Sequence, residues 1–155
     1  MAQLRTKLTN AAWVAFACIP MLLPAVASAL EFRSISVPKA VLYDAPSAQG
    51  KKTFILGQGY PVEVIVNLGD WLKVRDAQGG LNWVEAQQLA TKRTVLVKGV
   101  QADLRQTADA SSTLLGRLDK DVVLDMLEPP VNGWIKVKHR DGLTGYVLSS
   151  SLWGF

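Results

Sequence analysis

Two tryptophans, each followed by alternating cations, offer the chain's most suggestive chemistry: Trp71-Leu72-Lys73-Val74-Arg75 and Trp134-Ile135-Lys136-Val137-Lys138. On a strand, period two puts Trp71, Lys73 and Arg75 on one face and Leu72 and Val74 on the other, and it does the same for Trp134, Lys136 and Lys138. An indole beside two cations suits sugar rings, acidic peptides and carboxylates, through apolar contact and charge-assisted hydrogen bonds. The competing reading is that each indole closes one end of a small barrel while the lysine stems cover its edge. Groups for catalysis are scarcer. A poised acid, base or nucleophile needs a second group to tune it, yet His139 is the only histidine and lies between Lys138 and Arg140, as an exposed hairpin residue would. Ser149-Ser150-Ser151 lacks an activating partner, and Asp119, Asp121 and Asp125 read as the polar side of a turn and strand rather than a metal site. The expectation is no catalytic residue, no metal and no cofactor.

The elements that position these residues occur twice. Asp70 to Arg75, a glycine turn at Gly79-Gly80 and Trp83-Val84 return as Gly133 to Lys138, Asp141-Gly142 and Tyr146-Val147, at an offset of 63. Leu42 maps to Leu104 at 62, so one residue is added near Glu128-Pro129-Pro130-Val131-Asn132, in a loop between preserved strands. Short β-branched runs separated by Gly, Pro, Asn and Asp, with no amphipathic helical stretch, predict an all-β fold: two tandem small barrels of about five short antiparallel strands each. Leu30 to Pro38 reads as a lead-in strand and Ala86 to Leu89 as a single helical or tight turn. Trp83 and Tyr146 are expected in the core, and Trp153 and Phe155 are expected to pack the C-terminus onto a barrel. Thr91 to Thr94 is too short for a free tether, so the halves should hold a fixed orientation, with a concave surface between them.

The N-terminus predicts targeting. Arg5 and Lys7 precede an uncharged apolar run from Ala11 to Ala27, closed by Ala27-Ser28-Ala29, which is the pattern of a secretory signal peptide cleaved after Ala29. A retained anchor competes with this, but the run falls short of the roughly 20 residues a spanning helix needs, and Pro20 and Pro24 interrupt it. Lipidation at Cys18 fits poorly, because Ile19 to Leu23 continue the apolar run. The boundaries are therefore 1–29 for the signal peptide, 30–91 for the first domain and 92–155 for the second. Cleavage removes Cys18, the only cysteine, so neither a disulfide nor a thiolate is available. It also removes two of 17 basic residues, leaving 15 against 13 acidic ones, a net of +2 that argues against nucleic acid as partner. Each half is near the roughly 60-residue size at which one core is only marginally sufficient, so the halves should pack together.

The order Val62-Glu63-Val64-Ile65, Trp71-x-Lys73-Val74, a glycine hairpin and Trp83-Val84 resembles bacterial SH3-like domains, as does Leu104-Arg105. With the ending Ser151-Leu152-Trp153-Gly154-Phe155, the pair is similar to short exported tandem proteins of that family, over essentially all of residues 31–155. The chain departs from the pattern where Asn82 replaces the glycine present as Gly145, and where Tyr43 stands in place of Arg105. The resemblance implies binding rather than catalysis, since several such domains attached to wall hydrolases recognise peptidoglycan peptides or cross-bridges. The expected function is an exported, non-enzymatic protein, periplasmic or secreted, that binds peptidoglycan peptide or glycan without a lasting membrane span. Tyr43, Trp71, Lys73, Trp134 and Lys136 are the candidate binding residues, as stacking platform and anion contact. The alternative is a periplasmic adaptor that binds a partner protein in the groove between the halves or on a strand edge.

Overall fold

A computed structural model describes residues 30–155; the expected signal peptide, residues 1–29, lies outside the described residues. The first sheet consists of β1 (Glu31–Ile35), β2 (Lys39–Tyr43), β3 (Lys52–Gly57), β4 (Pro61–Asn67), β5 (Trp71–Arg75), β6 (Leu81–Glu85) and β7 (Leu89–Ala90). The second consists of β8 (Thr94–Val97), β9 (Gln101–Arg105), β10 (Leu114–Asp119), β11 (Val123–Met126), β12 (Trp134–Lys138), β13 (Thr144–Leu148) and β14 (Leu152–Trp153). Among the described residues the pairing is antiparallel, and both sheets follow one order, β3-β2-β6-β5-β4-β1-β7 and β10-β9-β13-β12-β11-β8-β14. The all-β tandem expectation holds, but each sheet has seven strands rather than about five. The additional ones are the lead-in strand and a two-residue strand that follows a single 3₁₀ turn, Ala86–Gln88 or Ser149–Ser151, and pairs back onto it. No helix of the described residues is long and apolar enough to cross a membrane.

Alternation builds the two cores. Leu72, Val74 and Val84 meet Ile35, Ala40, Leu42 and Val62 in the first, while Ile135, Val137 and Val147 meet Val95, Val97, Leu104 and Leu124 in the second. At the position of Gly145 in β13, an added Cβ would lie 2.6 Å from the Arg105 carbonyl oxygen and 2.9 Å from Leu104 Cδ1, so glycine is what lets β13 press onto β9. Its counterpart in β6 is Asn82, whose buried side chain is accommodated by a hydrogen bond at 2.8 Å with the Thr53 hydroxyl.

The two sheets pack through their lead-in strands. All four residues of β8 are buried, because Val95 and Val97 enter the second core while Thr94 turns to the first unit, its hydroxyl donating to the Gly59 carbonyl at 2.7 Å. Phe32 of β1 lies outside its own core cluster and meets the Trp153 ring edge-on, with centroids 5.2 Å apart and planes at 88°. The Arg93 guanidinium sits 5.6 Å over the same Phe32 ring and donates to the Gly154 carbonyl at 3.3 Å. Gly154, at φ +113°, allows the closest approach: a Cβ there would stand 2.8 Å from Pro61 Cβ. Trp153 thus packs against the first unit's Phe32, while Phe155 stays exposed.

Two stability predictions follow from these contacts. Phe32→Ala should lower the unfolding free energy by about 3 kcal/mol in chemical denaturation, as truncation of a buried aromatic does; a loss under about 1 kcal/mol would contradict the packing described. Gly145→Ala should cost about 2 kcal/mol through overpacking of β13 on β9, and an unchanged midpoint would show that the backbone yields there.

Candidate functional site

The residues that alternate away from each core form a row across three strands. In the first unit Lys73 of β5 is directly opposite Trp83 of β6, which in turn is opposite Tyr43 of β2. In the second, Lys136 of β12, Tyr146 of β13 and Arg105 of β9 occupy the same places. Trp83 and Tyr146, expected in the core, are instead half-buried on this outer face, while the valines that follow them, Val84 and Val147, fill the core. The reason is steric. The small interiors are already filled by Leu, Ile and Val, and period two leaves the large ring of each pair outside. The alternation itself carried the signal, since Val84 pairs with Leu72 across the hairpin.

Each lysine lies over the ring opposite it. Lys73 Nζ is 5.9 Å from the Trp83 ring centroid and Lys136 Nζ is 6.0 Å from that of Tyr146, at the outer limit of useful cation–π attraction. Trp71, half-buried, packs perpendicular to the Tyr43 ring, with centroids 5.5 Å apart and planes at 84°. The structure therefore brings Tyr43, Trp71, Lys73 and Trp83 together, with Tyr43 buried against the indole as a support rather than an open platform. Arg75 leaves the group to pair with Glu63 at 3.1 Å.

The second row is built differently. Lys136 Nζ is held by Glu128 Oε1 at 2.7 Å, and that hydrogen bond and charge raise the lysine above its ordinary pKa. Lys73 has no carboxylate partner among the described residues. Arg105, in the place of Tyr43, binds Asp103 at 2.6 Å and donates to the Ser112 carbonyl at 2.9 Å. Trp134 lines a depression of about 80 Å³ with Asp103, Arg105 and Leu148. Trp71 lines one of about 300 Å³ with Asp70, Glu85 and Gln87. The two indoles hold equivalent positions in unlike surroundings, one acidic and wide, the other narrow and edged by a paired arginine. Among the described residues no ring pair or cation–π contact joins the candidate residues of one unit to those of the other.

Chemistry of other kinds has little to work with. Among the described residues no three His, Cys, Asp or Glu side chains gather as a metal site would require. His139, read as an exposed turn residue, is half-buried, with Nδ1 2.9 Å from Asp141 Oδ1. The Leu143 amide and then this histidine hold the Asp141 carboxyl below its ordinary pKa. Ser149–Ser151 form the 3₁₀ turn before β14.

A search of curated proteins finds no match. Among solved structures, the chain is similar to NlpC2 of Trichomonas vaginalis (15% identity, TM-score 0.38, covering 81% of this chain and 48% of that one). It is also similar to NlpC1 of the same organism (15%, 0.37, 86% and 50%) and to an NlpC/P60 family protein from Bacillus cereus (18%, 0.36, 79% and 55%). The chain spans about half the length of those structures. Two family models, each described as bacterial SH3 domain, match residues 36–90 and 99–152, one within each sheet and together more than half of the sequence. The chain belongs to the bacterial SH3 domains, of which it carries a tandem pair.

Proposed function

We propose that the protein is an exported, non-catalytic binding module for a cell-envelope polymer, with peptidoglycan peptide or glycan as the ligand class. The observation that carries this reading is the outer face of the first unit, where Lys73, which has no carboxylate partner among the described residues, lies over the Trp83 ring and Trp71 packs against Tyr43 in the same row. Indole faces take the apolar side of a sugar ring or a peptide side chain, and Lys73 takes a carboxylate or hydroxyl beside it. Tyr43 fixes the Trp71 ring and so lowers the entropy lost on binding. The second face, with Lys136 already engaged by Glu128, is the weaker contact.

Purified protein should co-sediment with protein-free sacculi, and Trp71→Ala or Trp83→Ala should weaken retention at least about tenfold, as loss of an aromatic anchor does. Trp134→Ala should have the smaller effect. A parent protein that stays in the supernatant would overturn the proposal.

The engagement of Lys136 has its own test. Glu128→Gln should move the Lys136 ammonium titration, followed by NMR, down toward the ordinary lysine value, because the interaction with Glu128 is what raises it. An unmoved titration would contradict the pairing. Export is tested by mass spectrometry of the protein recovered from the envelope, which should begin at Leu30; a chain that still carries residues 1–29 would refute cleavage.

A further inference from the structure

A groove of about 890 Å³ runs between the two units, and none of Tyr43, Trp71, Lys73, Trp134 and Lys136 is among its lining residues. One wall comes from the first unit and is neutral: Ser34, Ser36, Gln58 and the backbone of Gly59. The other comes from the linker and the second unit and carries Lys92, Lys120, Lys138 and Arg140 with His139, against two carboxylates, Asp121 and Asp125. Lys92 already neutralises Asp125 at 2.8 Å. Among the described residues Lys120, Lys138 and Arg140 have no carboxylate partner. The groove thus presents three cations against the single unpaired charge of Asp121. Ile35, Val122 and Val123 supply its apolar lining.

We propose that this groove is a second binding site, and that its occupant is a carboxylate-bearing peptide. Charge complementarity selects an anion, since ammonium and guanidinium groups on one wall are matched by carboxylates. The size selects something larger than a simple ion, because the volume lies in the range of sites that enclose drug-sized ligands. The facing wall, with serine hydroxyls, an amide and main-chain groups, suits peptide N–H and C=O. Among the described residues no aromatic side chain apart from His139 lines the groove, so stacking of nucleobases, on which single-stranded nucleic acid binding relies, is not provided for.

The walls are set before any ligand arrives. The Thr94 hydroxyl bridges to the Gly59 carbonyl across the groove's base. The turn bearing Lys120 and Asp121 is pinned by their amides donating to the Val100 and Val97 carbonyls at 3.0 and 2.9 Å, with Asp121 at φ 65°. Both units are needed, since either alone would present one wall.

The test is an amide-shift titration of the protein with a capped tetraglutamate peptide, alongside a capped tetraglutamine peptide and inorganic phosphate. The glutamate peptide should shift Ser36, Gly59, Val122 and Arg140, and its affinity should fall as salt is raised from about 50 to about 500 mM. The double variant Lys138→Ala, Arg140→Ala, both on exposed side chains, should weaken binding about tenfold, while Lys51→Ala, an exposed lysine outside the groove, should change it less than about twofold. The proposal is overturned if the glutamine peptide or phosphate binds as tightly, if Lys51→Ala costs as much as the double variant, or if the shifts fall on the outer face around Trp83.

Discussion

The Phe32 ring, met edge-on by Trp153 and covered by the Arg93 guanidinium, ties the two units into one body. Each unit is close to the size at which a single core barely repays chain entropy, and the shared packing adds buried apolar surface that neither has alone. Arg93 sits there at some cost, because among the described residues its Nε is buried without an acceptor and one of its terminal nitrogens alone finds a carbonyl. A flat guanidinium tolerates this position better than an ammonium would, since it stacks on a ring while bonding in its own plane. From this contact follow the burial of β8 on both faces, the close passage of Gly154 over Pro61 and the fixed groove between the units.

Within that body the repeat has diverged on its outer side and kept its inner one. Leu42 and Leu104, Leu72 and Ile135, Val74 and Val137, and Val84 and Val147 hold equivalent core places. Outside, Tyr43 is replaced by Arg105, Trp83 by Tyr146 and Glu85 by Leu148, so one face is rich in rings with a Lys73 that has no carboxylate partner among the described residues, and the other has Arg105 and Lys136 paired. The pattern of substitution is that of two copies that share a folding requirement and differ in what they present. Even the backbone difference between Gly145 and Asn82 lies under this row, setting how closely the central strand approaches its neighbour.

Much of the architecture was legible because it rests on periods of two and on an offset that a single chain displays. Leu72 and Val74 fell on the core side by alternation alone, and the lead-in strand and the tight turn at Ala86–Gln88 were read from local composition. The same alternation placed Trp71 and Lys73 on one face. What escaped was tertiary. Trp83 and Tyr146 were assigned inward because large apolar rings usually are, although the valines beside them had already claimed the interior. The two closing strands were missed because a pair of residues has no period. Nothing in one dimension says that Phe32 and Trp153 meet, or that Lys92, Lys120 and the hairpin residues Lys138 to Arg140 line one groove.

The central claim, that the outer aromatic rows are where the envelope polymer is bound, is tested most directly by the indole N–H resonances of the protein on adding soluble peptidoglycan fragments. The account predicts that the Trp71 and Trp83 signals move first and furthest and Trp134 less, while that of Trp153, locked against Phe32, stays in place. Signals that do not move, or a shift confined to Trp153, would contradict it.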